Sequence, residues 1–306
     1  IRRHFHGATG RRDDVILGIG DDCALLGCRP GQSLAVSMDT LVAGRHFLPN
    51  DPAEAVGHKA LAVNLSDLAA MGAEPAWATL ALTLPESDDA WVADFMSGFR
   101  RLAAEHGVQL VGGDTTAGPL SITCQVHGWV DPQAALRRSG ARAGDRLFVS
   151  GTLGDAALAL RHRLAGDAPC GLEGRLDRPE PRVALGRLLA GYATAAIDIS
   201  DGLLADLRHV CDASGSGARI ELARLPLSPA VIAECGGADW RLPLAGGDDY
   251  ELLFAVPAAR VDELVGEELD GHLSIQEPIV DAQDRAHRTA AEHAQWRQAR
   301  ESLARE

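Results

Sequence analysis

Residues 51–72 read DPAEAVGHKALAVNLSDLAAMG, and this stretch decides the fold. Asp51 is a good N-cap, Pro52 suits the first helical position and Gly72 suits the C′ position, so the segment reads as one helix. At about 100° per residue, Val56, Ala60, Val63, Asp67 and Met71 share a face, with Asn64 at its edge and Leu61, Leu65 and Leu68 on a neighbouring stripe. Asp67 therefore points toward packed structure. A buried carboxylate needs a partner, and the nearby cation on this helix, Lys59, points about 80° away. A bound metal or a basic group from elsewhere must answer Asp67. For one isolated Asp the alternative is a structural carboxylate hydrogen-bonded to a neighbouring loop. Five further segments with similar carboxylates shift the balance toward a site.

Before the helix, VILGIGDDCALL (15–26) reads as an apolar strand, a Gly18/Gly20 turn and a second apolar run, which places Asp21 and Asp22 where the backbone can approach a ligand. SLAVSMDTLV (33–42) reads as a strand that delivers Asp39 and Thr40 and is followed by Gly44, Arg45 and His46. After the helix come an alternating strand at 76–85 and a helix over 88–106 with Trp91, Phe95, Phe99 and Leu102 on one side. VQLVGGDTTAG (108–118) is a strand that leads through a glycine pair to Asp114, Thr115 and Thr116, and 120–130 is another strand. The glycine pair fits a tight turn as well as it fits a phosphate or hydrated metal against the backbone.

Residues 131–144, DPQAALRRSGARAG, read as the boundary between domains 1–131 and 132–306 and carry Arg137, Arg138 and Arg142, either a phosphate clamp or a solvated linker. The second half alternates strands and helices in the manner of α/β packing. GTLGD (151–155) opens a helix whose N–H groups could meet an anion. AIDISDGLLADLRHVCDASG (196–215) ends a strand on Asp198 and starts a helix with Ser200 as N-cap, Asp201 in the first turn and Gly215 as stop. LAGGDDYELLFAV (244–256) again sets two glycines before Asp248 and Asp249. The tail beyond Asp281 is polar, with Trp296 its one aromatic.

The 306 residues suit about two domains. A net charge of −14 with a pI near 5.2 argues against nucleic acid and anionic membrane as partners, and no apolar run reaches membrane-span length. Six cysteines without metal-like spacing fit a reduced, cytoplasmic setting. Because the chain opens on Ile1, a short leading segment is expected to lie outside this numbering. Asp21, Asp22, Asp39, Asp67, Asp114, Asp198, Asp201, Asp248 and Asp249 offer oxygen ligands without His or Cys, which select hard cations, Mg²⁺ above all when phosphates complete the shell. There is no P-loop, protein-kinase signature or dinucleotide fingerprint, so any ATP is held mainly through metal.

The motifs GIGDD, SMDT, NLSDLAAMGAEP, GGDTT, LRRSGARAGD, DISDGL and GGDDYEL, spread over residues 15–256, make the chain resemble the thiamine-monophosphate kinase family. The resemblance implies an α/β (α+β) fold of two domains, with the N-terminal sheet pairing across a homodimer into a barrel, and Mg²⁺-dependent transfer of the ATP γ-phosphoryl to thiamine monophosphate. It further implies Mg²⁺ ligation by Asp22, Ser37, the Met38 carbonyl, Asp39, Asp67, Asp114, Asp198 and Asp201. ATP contacts would come from Gly113, Asp114, Arg138 and Ser200, with Arg138 a possible charge stabiliser and no covalent nucleophile, and substrate contacts from His46, Asp248 and, weakly, Trp296. Three departures stand out: Met38 where the family has Thr, Asp248 where it has Glu, and a tail lacking the family's aromatic context. The rivals are a sibling enzyme of the superfamily and a catalytically inactive metal- or nucleotide-binding homologue. A selenophosphate synthetase would need a reactive Cys with a Lys in a glycine-rich N-terminal loop, and the segment before Asp22 has neither.

Overall fold

The computed structural model describes residues 2–235, 239–265 and 280–284. In the first half the elements are α1 (Arg2–Phe5), β1 (Val15–Leu17), β2 (Leu25–Leu26), β3 (Ser33–Val42), α2 (Ala53–Ala70), β4 (Glu74–Leu84), α3 (Asp89–Glu105), β5 (Gln109–Ala117) and β6 (Ser121–Val130). The second half holds β7 (Arg146–Val149), α4 (Asp155–Ala165), α5 (Glu173–Asp177), α6 (Val183–Leu189), β8 (Ala195–Ile199), α7 (Leu203–Ser214) and β9 (Ser216–Ala218). It continues with α8 (Pro229–Cys235), α9 (Arg241–Ala245), β10 (Glu251–Val256), α10 (Val261–Val265) and β11 (Val280–Asp284).

The first half builds a four-stranded sheet in the order β3-β6-β4-β5, antiparallel except where β4 and β5 run parallel. Parallel neighbours need a crossover, which α3 supplies. Along β3 the odd-numbered residues turn toward α2, whereas Leu34, Val36 and Met38 are exposed on the other face. The β1/β2 ribbon covers part of that other face, where Val15, Ala24 and Leu26 pack on Trp77 and Trp129. The second half builds an antiparallel sheet in the order β8-β10-β7-β11-β9. One hydrophobic core runs through both halves: Leu61, Leu65 and Leu68 of α2 share it with Phe148, Leu185, Leu252 and Phe254.

Helix α2 begins one residue later than its sequence signals imply. Pro52 takes the N-cap position, while the Asp51 carboxylate accepts from the Leu48 N–H (2.7 Å) and pairs with Arg163 (3.0 Å). Its far end matches the expectation: Gly72 is left-handed (φ +68°), its N–H reaches the Ala69 carbonyl and the Ala73 N–H reaches that of Leu68. Those two bonds form a Schellman motif. The expected one-sided apolar face is not what is seen, because residues 55–66 are buried all round. The second half of the chain covers the side that an amphipathic helix would turn to water. Helix α3 follows its signals, with Asp88 capping the Trp91 N–H (2.9 Å) and Phe95, Phe99 and Leu102 in the core.

Glycine lets the helices meet backbone to backbone. A Cβ on Gly57 would lie 1.9 Å from the Phe95 carbonyl oxygen, and one on Gly98 1.9 Å from that of Glu54. On the opposite side of α2, a Cβ on Gly186 of α6 would meet the Ala69 carbonyl oxygen at 2.0 Å. A methyl group at any of these points must push a helix away, a strain of about 1–3 kcal/mol or more. Gly98→Ala is therefore expected to lower the free energy of unfolding by an amount in that range, read as a lower urea midpoint, and an unchanged midpoint would contradict the close α2–α3 crossing.

Candidate functional site

Three aspartates from three elements converge at the C-terminal half of α2. Asp67 accepts a hydrogen bond from Ser37 Oγ of β3. Asp39, two residues further along β3 and therefore on the same face, has its N–H held by Asn64 Oδ1 (3.0 Å). Asn64 is itself anchored, its Nδ2 donating to the Ala60 carbonyl. Asp198, on β8 of the other sheet and 5% exposed, accepts from Ser66 Oγ (2.9 Å). Helix α2 thus fixes one carboxylate and orients two more.

These carboxyl groups are costly to charge. Burial raises Asp198 to about 7, helped by the charges of Asp67, Asp206 and Asp39. Burial also raises Asp39 to about 6, again with a contribution from Asp67. Asp67 is raised by burial too, against the opposing pull of the Ser37 hydrogen bond and the Arg138 charge. Among the described residues none of the three is ion-paired with Lys or Arg, and no three His, Cys, Asp or Glu side chains stand at ion-holding distance. Mutually repelling, hydroxyl-positioned oxygen donors that lack a basic partner suit a hard divalent cation, and the donor chemistry fits Mg²⁺.

The loops from the second sheet are held around this centre by their own carboxylate. The N–H groups of Ser200 and Asp201 both donate to Asp206 Oδ2 (3.1 Å each), a buried group that burial raises to about 6. Ser200 is therefore not the cap of α7: Gly202, at φ +104°, takes that position and the helix starts at Leu203. The Asp248 N–H donates to the Ser200 carbonyl (2.9 Å), and a Cβ on Gly247 would sit 2.7 Å from that same oxygen, so glycine is required for the two loops to meet. The anion at the start of α4 proves to be internal, since the Gly154 N–H donates to both oxygens of buried Asp249 (3.0 and 3.1 Å). Next to it Glu251, fully buried, is held below the usual carboxylate range: burial works to raise it, but Arg182 (2.7 and 2.8 Å) and Arg175 outweigh that.

Along the N-terminal half of α2 opens a cleft lined by His46, Phe47, Lys59, Leu164 and Asp248 among others. His46 lies in the turn after β3, where its Nδ1 accepts from the Val42 N–H (3.0 Å). Asp248 faces Lys59 Nζ at 2.9 Å and accepts from Tyr250 Oη at 3.1 Å.

The remaining sequence candidates stand apart. Asp22 lies in an exposed turn, where its N–H donates to Asp21. Gly113 and Asp114 lie on edge strand β5, and Gly113 answers a packing demand, since a Cβ there would meet the Leu80 carbonyl oxygen at 1.9 Å. Met38 points to the sheet face opposite Asp39, so its missing hydroxyl takes nothing from the α2 side. Arg138 is exposed and its charge reaches Asp67. Trp296 lies outside the described residues. Sequence reasoning passed over Ser66 and Asp206, and read Lys59 only as a cation pointing away from Asp67.

The AIR synthase related protein family matches this chain twice, with its N-terminal domain over residues 20–130 and its C-terminal domain over 142–273. The thiamine-monophosphate kinase of Escherichia coli strain K12 is 52% identical over 266 residues, covering 84% of this chain and 81% of the relative. The crystal structure of thiamine-monophosphate kinase from Stenotrophomonas maltophilia K279a superposes with a TM-score of 0.84 at 48% identity, covering 89% of this chain and 90% of that one. AaThiL, solved in complex with AMPPCP and TMP, superposes with a TM-score of 0.75 at 33% identity, covering 84% of this chain and 82% of its own. Two domain matches in order, and relatives this similar over four-fifths of their length, make the chain a member of the AIR synthase related family and, within it, of the thiamine-monophosphate kinases.

Proposed function

We propose that this chain is a thiamine-monophosphate kinase that transfers the γ-phosphoryl of ATP directly to the phosphate of thiamine monophosphate. The observation that carries the reading is the set Asp39, Asp67 and Asp198, one buried and two half-buried carboxylates without ion-paired bases among the described residues, in a chain 33% identical to AaThiL, which was solved with an ATP analogue and TMP. Both reactants are anionic, so the task is to bring phosphates together in line without a covalent nucleophile. Ser37, Asp39, Asp67 and Asp198 would hold Mg²⁺, with Asp22, Asp114, Asp201 and the Met38 carbonyl as further donors. Bound Mg²⁺ supplies charge neutralisation and a template for the phosphates.

The chain's own groups do the rest. Ser37, Asn64 and Ser66 orient the carboxylates, and Asp206 fixes the Ser200–Asp201 turn. Gly113, Ser200 and Arg138 take the nucleotide, with Arg138 adding positive charge at the transferred group. His46 and Asp248 bind the thiamine moiety in the cleft. The exposed row Leu34, Val36 and Met38 (44, 52 and 61%) on edge strand β3 supports a homodimer in which this face pairs with a second copy's sheet into a barrel. The division into domains 1–131 and 132–306 is supported by the break between the two family matches. Among the described residues no helix is long and apolar enough to cross a membrane, which fits a cytoplasmic biosynthetic enzyme.

With Mg²⁺ and ATP, the purified protein is expected to convert thiamine monophosphate to thiamine diphosphate and to leave free thiamine unchanged. Asp67→Asn is expected to keep the fold and lose at least about 100-fold in kcat/KM. Turnover of free thiamine at an equal rate, or full activity in Asp67→Asn, would contradict the assignment.

A pH dependence follows from the same carboxylates. The folded-state values of Asp198 (about 7) and Asp39 (about 6) lie above the ordinary aspartate value of 3.8. Between those limits the folded, metal-free protein holds protons that the unfolded chain has released, so this contribution to stability is lost as pH rises. Three histidines lowered by burial, His58, His106 and His127, work in the opposite direction, so the difference between variants isolates the effect. In the presence of chelator, the Tm of Asp198→Asn relative to wild type is expected to increase from pH 5 to pH 8. A constant or decreasing difference would overturn the account.

A further inference from the structure

Lys59 is the sole lysine of this sequence; every other basic residue of the Lys/Arg set is arginine. It lies on α2 with its side chain 5% exposed, and its ammonium meets Asp248 Oδ2 at 2.9 Å. A buried ammonium without a counter-charge would cost several kcal/mol, and Asp248 supplies that charge from a loop 189 residues away in sequence.

The loop it holds is strained. Asp248 has φ +67° and Tyr250 φ +49°, left-handed values that non-glycine residues adopt only when their surroundings enforce them. Three contacts enforce this one: the Asp248 N–H to the Ser200 carbonyl, Tyr250 Oη to Asp248 Oδ1 and Lys59 to Asp248 Oδ2. Asp248 nevertheless remains 32% exposed at the side chain and lines the cleft together with Lys59 and His46. A carboxylate accepts about four hydrogen bonds, so oxygen lone pairs remain for a ligand in the cleft.

We propose that Lys59 is a positioning residue for substrate recognition: from a rigid, buried helix it fixes the strained Asp248 loop so that the carboxylate faces the substrate's organic moiety. The pair is neutral overall. Asp248 therefore recognises its ligand as a hydrogen-bond acceptor for a neutral donor such as the aminopyrimidine of thiamine, and not as the counter-ion of the thiazolium ring. Lysine serves where arginine would not, because a compact ammonium fits beside one carboxylate oxygen, whereas a guanidinium fork would engage both oxygens and close the acceptor off. The inference rests on the proposed kinase activity.

The test is a kinetic double-mutant cycle of Lys59→Met, Asp248→Asn and the double variant, with Lys59→Arg as a fourth enzyme. Lys59→Met is expected to raise KM for thiamine monophosphate about 10-fold, with kcat and KM for ATP changed less than about 2-fold, the pattern of lost uniform binding. The double variant is expected to bind substrate no worse than Asp248→Asn alone, because Lys59 acts through Asp248. Lys59→Arg is expected to restore stability but not the KM.

A stability loss in Lys59→Met with an unchanged KM would make the pair a strut and overturn the inference. Additive effects, or a loss confined to kcat, would overturn it equally. Should Lys59→Met fail to fold, isotopically labelled lysine gives these 306 residues a single side-chain NMR signal. That signal is expected to move in Asp248→Asn and on adding thiamine monophosphate to wild type, and not on adding ATP; a signal indifferent to thiamine monophosphate would sink the idea. Absence of turnover by wild type itself would refute the kinase reading, and the shift of the lysine signal in Asp248→Asn would still report on the pair.

Discussion

Helix α2 has no solvent face along residues 55–66, so each polar side chain it carries there must be answered by another group. His58 donates to the Pro179 carbonyl (2.9 Å), Lys59 meets Asp248, Asn64 takes the Asp39 N–H and Ser66 donates to Asp198. Immediately after that buried run, Asp67 is met by Ser37. These partners come from both sheets and from the loops between them. The polar residues of one helix therefore fix how the two halves of the chain face each other, while Leu61, Leu65 and Leu68 bury the apolar surface that holds them there.

The same arrangement explains why the site is costly in the absence of a cation. Ion-paired carboxylates elsewhere are stabilised in their charged form: Glu251 lies between Arg182 and Arg175, and Arg12 holds Asp14 down to about 2. Asp67 and Asp198 receive hydroxyl groups, and Asp67 a distant Arg138, where such pairs would sit, and Asp39 receives neither among the described residues, so burial dominates, with repulsion between carboxylates adding to it at Asp39 and Asp198. A structure optimised for stability alone would place a base among them. Leaving them unpaired keeps their lone pairs available for metal and phosphate chemistry.

Much of this was legible in the sequence wherever local rules decide. The Gly72 stop, the helix over 88–106, the β3 strand over 33–42 and the Asp67 anomaly follow from capping chemistry and periodicity. The failures come from tertiary demands. Ser200 has the chemistry of a cap, but Asp206 reaches back to take its N–H and Gly202 takes the cap position. The N-terminus of α4 looked open to a foreign anion, yet Asp249 fills it from 95 residues away. Ser66 left no signal and Lys59 was read only as pointing away from Asp67, because a serine or lysine within a helix is ordinary until the group facing it is known. Asp22 and Asp114 were read as one set with Asp67; Asp22 lies in the turn after β1 and Asp114 on β5.

The central claim is that Asp39, Asp67 and Asp198 form one metal site and not three independent structural aspartates. Anomalous diffraction from crystals grown with Mn²⁺ and a non-hydrolysable ATP analogue tests it most directly, since Mn²⁺ takes the same oxygen ligands as Mg²⁺. The account predicts anomalous peaks within about 2.0–2.4 Å of carboxylate oxygens from all three residues, with analogue phosphates completing the shell. Peaks elsewhere, with Asp67 and Asp198 still held only by Ser37 and Ser66, would contradict it.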